Sequence, residues 1–224
     1  MIMTAKKGKG NKMHIYADDE YLITVTADFW YSGSIRQGDE ISGERLESFK
    51  DKAQDSRAYN KLLDLISRRD YCRKELEDRL SRDFGRNPAL KAVQRAVDAG
   101  FVNDESYAVK FAEEMCRRKG FSLSRIKTDL IYKGIAREIV DETIERIDFD
   151  PRVRIIELLQ TKYARRFDDE KNTARTINAL IRLGYSYSDI RAAMSELNVD
   201  TPNELRRVSG SWATEDMIWV IKSD

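Results

Sequence analysis

The stretch Arg69-Asp70-Tyr71-Cys72-Arg73-Lys74-Glu75-Leu76 decides the fold, because two later stretches repeat its pattern. In each, a turn residue precedes an aromatic residue, and apolar residues follow five and nine positions after it. The later copies are Lys119-Gly120-Phe121-Ser122-Leu123-Ser124-Arg125-Ile126 and Leu183-Gly184-Tyr185-Ser186-Tyr187-Ser188-Asp189-Ile190. An internal repeat of this kind is typical of small units that bury their apolar faces by stacking on their neighbours. The chain is therefore predicted to be a helical repeat protein.

The first 43 residues follow a different pattern. Residues 1–12 contain four lysines and no acid, which predicts a disordered basic tail. Two runs rich in β-branched and aromatic residues, His14–Tyr16 and Tyr21–Thr26, flank an acidic turn. This pattern predicts a small β-hairpin in the region 13–43.

Helical periodicity begins after Ser42 and continues to Leu197. The runs 44–53 and 57–68 predict two helices, and later helices are bounded by Asn-Pro, Asn-Asp and Asp-Pro starts and by glycine ends. The fold class is mainly α, with tandem three-helix repeats in an elongated stack. The predicted segments are 44–103 (leading helix and first repeat), 104–149 (second repeat), 150–198 (third repeat) and 199–224 (a tail of unknown role).

Composition narrows the function. Charged residues make up 35% of the 224-residue chain, which fits an elongated protein because such a protein has more surface per residue. The 40 basic and 39 acidic residues nevertheless leave a net charge of only +1. A dedicated nucleic-acid binder usually has a larger basic excess. One histidine and two separated cysteines give no zinc spacing, and no apolar run is long enough for a membrane span. We expect a cytoplasmic, monomeric protein without cofactor or metal, and no catalytic constellation supports an enzyme.

Specific sequence motifs within the repeats resemble those of the RecX family. The segment 65–80 carries Ser67-Arg68-Arg69-Asp70-Tyr71 followed by Lys74-Glu75-Leu76. The family's next element is matched by Gly100-Phe101-Val102-Asn103-Asp104-Glu105-Ser106-Tyr107-Ala108, and the later elements by Lys133-Gly134-Ile135 and the third repeat. The resemblance covers roughly Ser42 to Leu197. The segment around Phe121 keeps the spacing of the repeat, but its residues differ from those usual in the family.

The resemblance implies a regulator of the bacterial recombinase RecA. Family members are similar in being curved stacks of three three-helix units that bind along the groove of the RecA–DNA filament. There they restrain strand exchange, ATP turnover and filament growth. The partner implied is thus the RecA filament, with weak direct DNA contact left open.

Charge patterning suggests where contacts lie. Residues 110–137 contain eight basic residues and three acids, whereas residues 138–150 contain six acids and one arginine. A surface with both signs suits a nucleoprotein filament. The candidate filament- or DNA-binding residues are Arg68, Arg69, Arg73, Lys74, Arg117, Arg118, Lys119, Arg125, Lys127 and Lys133.

Two other functions stay open at this point. The basic middle repeat favours a sequence-independent DNA-binding protein as the main alternative, and a helical scaffold for another partner is a weaker one. The aromatic residues Tyr71, Phe121 and Tyr185 could stack on bases, but their position at helix starts favours a role as buried pins between helices.

Overall fold

The computed structural model of the protein describes residues 1–164 and 169–199, so nearly all of the predicted tail 199–224 lies outside the described residues. Within these ranges there are three strands and ten α-helices. They are β1 (Met3–Lys7), β2 (Lys12–Ala17), β3 (Glu20–Thr26), α1 (Ala27–Ser32), α2 (Gly43–Ile66), α3 (Arg73–Phe84), α4 (Arg86–Asp98), α5 (Asp104–Glu114), α6 (Leu123–Tyr132), α7 (Arg137–Glu145), α8 (Pro151–Thr161), α9 (Glu170–Arg182) and α10 (Tyr187–Glu196). None of the described helices has the length and apolar character needed to cross a membrane.

The N-terminal strands form one antiparallel sheet in the order β1-β2-β3. The predicted hairpin is confirmed as β2–β3, but the prediction of a disordered tail over residues 1–12 is wrong, because Met3–Lys7 forms β1. Met3 is fully buried, and its N–H donates to the Asp39 carbonyl at 2.9 Å. Two of the four lysines that suggested a tail, Lys6 and Lys7, are the exposed residues at the end of this half-buried strand.

Helix α2 joins two hydrophobic cores within the same part of the chain. It is one helix of 24 residues, so the prediction of separate helices over 44–53 and 57–68 is wrong. No glycine or proline interrupts the residues between those runs, and the helix therefore continues through them. Its first half packs with the sheet and with Trp30 of α1, and its second half packs with α3 and α4.

The described chain groups into two compact units. The first is Met1–Tyr107 with Lys133–Ile135, and the second is Ala108–Tyr132 with the described residues from Ala136 onward. The first contains the sheet and the bundle of α2, α3 and α4, and the second contains a bundle of α8, α9 and α10. The mainly α class with a small N-terminal β-segment is confirmed. The repeat boundaries 44–103, 104–149 and 150–198 stay a prediction.

In each unit, the start of one helix is bonded to the loop that ends another. In the first unit the Cys72 Sγ donates to the Lys133 carbonyl at 3.4 Å. In the second unit the Ser122 Oγ donates to the Gly184 carbonyl at 2.7 Å, and the Ser122 N–H donates to the Leu183 carbonyl at 2.9 Å. Unpaired donors at one helix start thus satisfy unpaired carbonyls at another helix end. We call this arrangement the helix-end bond.

A glycine at each helix-end bond is required by backbone conformation and by space. Gly184 has φ +92°, and an added Cβ would lie 2.5 Å from the Ser122 Oγ and 2.6 Å from the Arg125 Cβ. Gly134 has φ +82° and lies against the side chain of Lys74. Gly100 also has a positive φ, but no atom within 4 Å faces its missing Cβ.

Gly184→Ala is expected to lower the free energy of unfolding more than Gly100→Ala does. Gly100→Ala pays only for the left-handed backbone, about 1–2 kcal/mol, whereas Gly184→Ala adds an overpacking cost of about 1–3 kcal/mol. Urea unfolding followed by circular dichroism measures both. Equal losses for the two variants would show that the Gly184 contact with Ser122 and Arg125 does not constrain the fold.

Candidate functional site

Five of the candidate cations lie in the first unit, around the start of α3. Lys133 and Arg69 both reach Glu75, with a Lys133 Nζ to Glu75 Oε1 distance of 3.2 Å and an Arg69 Nη1 to Glu75 Oε2 distance of 3.6 Å. The Tyr107 hydroxyl donates to the same carboxylate at 3.4 Å. The Arg69 guanidinium also stacks on the Tyr71 ring, 3.6 Å from its centroid. Glu75 therefore organises a polar cluster at this helix start.

The electrostatics of the cluster favour its ionised form. Burial alone would raise the pKa of Glu75, but Lys133 and Arg69 outweigh that effect and hold its pKa below the usual value. Burial likewise acts to lower the pKa of Lys133, and its bonds with Tyr107 and Glu75 reverse this and raise it. Lys133 and Arg69 are thus committed to internal partners.

The other cations at the start of α3 differ in their availability. Arg73 pairs with Glu77 at 2.9 Å and donates to Gln94 at 3.0 Å. Arg68 pairs with Asp64 at 2.9 Å on the surface of α2 and the turn after it. Lys74 is exposed, and among the described residues no ion pair includes it. Its stem packs on Gly134, which leaves its ammonium for solvent or a partner.

In the second unit, Arg117, Arg118 and Lys119 lie in a five-residue π-helical turn, Met115–Lys119, that continues α5. All three side chains are exposed. Arg118 forms an ion pair with Glu114, while Arg117 and Lys119 take part in no ion pair within the part of the chain that the structure describes. π-Helical turns are rare and are frequent at functional sites.

Two side chains, Arg154 and Tyr185, donate hydrogen bonds to backbone carbonyls of this turn and of the glycine that follows it. The Arg154 Nη2 donates to the carbonyls of Cys116 and Arg117 at 2.9 and 3.0 Å, which satisfies carbonyls of the helix end. The Tyr185 hydroxyl donates to the Gly120 carbonyl at 3.1 Å, and burial raises the pKa of Tyr185. With its backbone fixed in this way, the turn presents adjacent cations to solvent.

The remaining two candidates are tied to neighbouring groups. Arg125 stacks on the Phe121 ring, 4.2 Å from its centroid, and its guanidinium donates to the Arg182 carbonyl. Lys127 pairs with Asp141 at 2.6 Å. These contacts make Arg125 mainly a structural residue, and they cancel the charge of Lys127 locally.

The structure thus does not bring the ten candidates into one site. Arg68, Arg69, Arg73, Lys74 and Lys133 belong to the first unit, and the other five belong to the second. Seven form ion pairs, and Lys74, Arg117 and Lys119 are the candidates that form none among the described residues. Their role in binding stays a prediction. Sequence analysis did not identify Arg154. The half-buried position of this arginine on helix α8 is visible only in the folded structure.

The three repeated aromatic residues do not share one environment. Tyr185 is buried, as expected for a pin between helices, with 4% of its surface exposed. Tyr71 and Phe121 are only half-buried, so the expectation of a buried pin is wrong for them. In both cases an arginine guanidinium stacks on the ring, Arg69 on Tyr71 and Arg125 on Phe121, in the place that a stacked base would take.

The described residues contain no group of three or more His, Cys, Asp or Glu side chains placed to hold a metal ion. Both cysteines are free thiols, and burial raises the pKa of each of them. A raised pKa keeps a thiol protonated and poorly nucleophilic.

Comparisons with known proteins agree with these features. The family model described as RecX, second three-helix domain, matches residues 103–144. The regulatory protein RecX of Clostridioides difficile is 27% identical over 195 residues, which cover 86% of this chain and 92% of that protein. The regulatory protein RecX of Caldanaerobacter subterraneus is 26% identical, over 85% of this chain and 95% of that protein.

Two solved structures share the fold. A crystal structure of regulatory protein RecX aligns with a TM-score of 0.62 at 18% identity, over 86% of this chain and 97% of that one. The crystal structure of RecX from Lactobacillus salivarius aligns with a TM-score of 0.52 at 25% identity, over 66% of this chain and 98% of that one.

The fold and the charged helix ends define a helical repeat protein whose exposed cations are arranged along helix starts and turns. The chain is similar to regulatory proteins of the RecX family over most of its length. Its relatives are named as regulatory proteins and not as enzymes.

Replacing Glu75 by glutamine is expected to lower stability in a pH-dependent way. At pH 7 the loss is about 1–2 kcal/mol, because the carboxylate accepts bonds from charged groups. The folded-state pKa of Glu75 lies below its unfolded value, so its contribution is present above about pH 4.3 and declines as the pH falls further. Urea unfolding from pH 7 to pH 3 measures the free energies of unfolding of the parent and of Glu75→Gln, and the two values should converge as the pH falls.

Glu142→Gln is the matched control for this experiment. Glu142 pairs with Arg146 at 3.2 Å, but their side chains are 65% and 72% exposed. Exposed pairs contribute little, so this variant should differ from the parent by less than about 0.5 kcal/mol at any of these pH values. A Glu75→Gln loss that is the same at pH 3 and at pH 7 contradicts the assignment of Glu75 as an ionised centre.

Proposed function

We propose that this protein binds the RecA–DNA filament and inhibits its ATP turnover and strand exchange. Similarity to the regulatory proteins RecX carries the proposal, because it extends over most of this chain and over most of each relative. The protein acts by binding and not by catalysis. It works as a monomer in the cytoplasm and needs no cofactor.

The surface that we assign to filament binding is centred on Arg117 and Lys119. These two cations are exposed, belong to no ion pair in the described residues and lie on a backbone fixed by Arg154. Fixing the backbone before binding lowers the conformational cost of forming an interface. On the first unit, Lys74 is a separate exposed candidate that belongs to no ion pair among the described residues. The neighbouring paired cations add contacts by exchanging a weak internal partner for one on the filament, since surface ion pairs are weak.

The alternative function is sequence-independent DNA binding by the basic middle repeat. The free cations Arg117 and Lys119 favour it, because such residues neutralise phosphates. Against it, Arg118, Arg125 and Lys127 are paired with acids, which reduces the positive charge that the sequence suggests. A partner that carries charges of both signs fits this surface better than a polyanion does.

The double reversal Arg117→Glu/Lys119→Glu is expected to weaken inhibition of RecA about 10- to 30-fold. The change alters local charge by four units, and about 0.5 kcal/mol per unit at an exposed site sums to roughly 2 kcal/mol. The measurement is the concentration of protein that halves ATP hydrolysis by RecA on single-stranded DNA. Thermal melting of the variant should match that of the parent, because neither side chain contributes to a core.

Lys171→Glu/Arg191→Glu is the matched control, since both residues are exposed and lie on other helices, α9 and α10. It should inhibit as the parent does. Equal inhibition by the parent and Arg117→Glu/Lys119→Glu sinks the surface assignment. No inhibition of RecA by the parent, together with tight binding to duplex and single-stranded DNA that this double reversal abolishes, favours the DNA-binding alternative.

A further inference from the structure

The N-terminal sheet has a second face that the filament proposal does not use. One face is buried by Met3, Ile15 and Val25. The strand register places on the opposite face two rows of residues that lie side by side across the strands. These rows are Lys6, His14 and Thr24 in one, and Thr4, Tyr16 and Tyr21 in the other. We call this surface the aromatic sheet face.

The rings of the aromatic sheet face form one connected group. Tyr16 and Tyr21 meet edge to face, with centroids 5.9 Å apart, and His14 lies 6.4 Å from Tyr21. The Thr24 Oγ1 holds two of the rings by hydrogen bonds, at 2.7 Å to the His14 Nδ1 and 2.9 Å to the Tyr21 hydroxyl. Tyr21 is nevertheless 60% exposed. A large ring is thus held in place with one side open to solvent.

Lysines surround one end of the aromatic sheet face. The Lys6 Nζ lies 4.7 Å from the centroid of Tyr16. Three more lysines follow at the end of β1, in the turn after it and at the start of β2. No ion pair involves any of the four within the described ranges 1–164 and 169–199. These lysines are Lys6, Lys7, Lys9 and Lys12, and all of them are exposed. This charge is complementary to a polyanion.

An acidic turn bounds the other end of the surface. Asp18 and Asp19 connect β2 to β3, and Glu20 is the first residue of β3. All three lie close to Tyr21, at the opposite end of the strand from Lys12. A phosphate backbone is therefore attracted at the lysine end and repelled beyond the rings. The intervening strand length, about 3.3 Å per residue over four residues, has room for two or three bases.

We propose that the aromatic sheet face binds single-stranded nucleic acid. Bases stack on Tyr21 and Tyr16, and the lysines in and beside the β1–β2 turn contact the phosphates. Stacking on sheet aromatics needs unpaired bases, which a duplex does not offer. This surface is separate from the π-helical turn, and the proposal holds whether or not the protein binds RecA.

The test measures binding of the full chain to a fluorescent twelve-residue oligothymidylate by anisotropy at low salt, without RecA. Tyr21→Ala is expected to weaken binding at least fivefold, because one stacked base contributes about that much or more. Tyr21→Phe keeps the ring and should bind within twofold of the parent. Tyr31→Ala is the matched control, since Tyr31 is 67% exposed but lies on α1, and its binding should not change.

The ligand and the charge are varied in the same assay. An abasic oligomer of equal length should bind at least fivefold more weakly than oligothymidylate. Lys6→Gln/Lys12→Gln should lower the slope of log K against log salt by about 1.4, the value for two phosphate contacts on a single strand, and Lys162→Gln/Lys171→Gln should leave it unchanged. Equal binding of the abasic oligomer, or unchanged binding by Tyr21→Ala, overturns the proposal.

A crosslinking experiment on the unmodified chain removes any dependence on how the variants fold. An oligonucleotide that contains 5-iodouracil is irradiated with the protein, and trypsin then releases residues 13–36 as one peptide, because it holds no internal lysine or arginine. Crosslinks at Tyr16 or Tyr21 support the proposal. Crosslinks confined to other parts of the chain, including Arg117–Lys119, overturn it.

Discussion

In both compact units, a polar side chain at the start of one helix bonds to the carbonyl end of another helix more than sixty residues later. The separation is 61 residues for Cys72 with Lys133 and 62 for Ser122 with Gly184. Each bond depends on a glycine in the left-handed region. This glycine follows the helix whose carbonyl end accepts the bond, and it leaves no Cβ in the contact. The charged residues of interest lie within a few positions of these bonds, so their placement follows from them.

The sequence pattern identified the local part of this arrangement. The repeated aromatic, polar and apolar spacing found the starts of α3, α6 and α10, because a helix cap and an apolar stripe are encoded in neighbouring residues. The partner of each helix start was not predictable in this way. Nothing in the local sequence pairs Cys72 with Lys133 or Ser122 with Gly184, since these contacts join distant parts of the chain.

The same limit explains the errors in charge and in the N-terminal region. A count of basic residues does not show which of them are paired, and Asp141 and Glu75 neutralise Lys127 and Lys133 through contacts made only on folding. Strand β1 was missed because its two lysines hide the burial of Met3 against residues near position 39. Local composition predicted most helix positions, and it could not show which cations are paired.

Sedimentation of the unmodified protein with filaments preassembled on single-stranded DNA measures binding to the RecA filament without any variant. We expect saturable co-sedimentation at physiological salt, at protein concentrations where bare single-stranded DNA pellets little of the protein. Equal recovery with bare DNA and with filaments, or no recovery with filaments at all, would contradict the account.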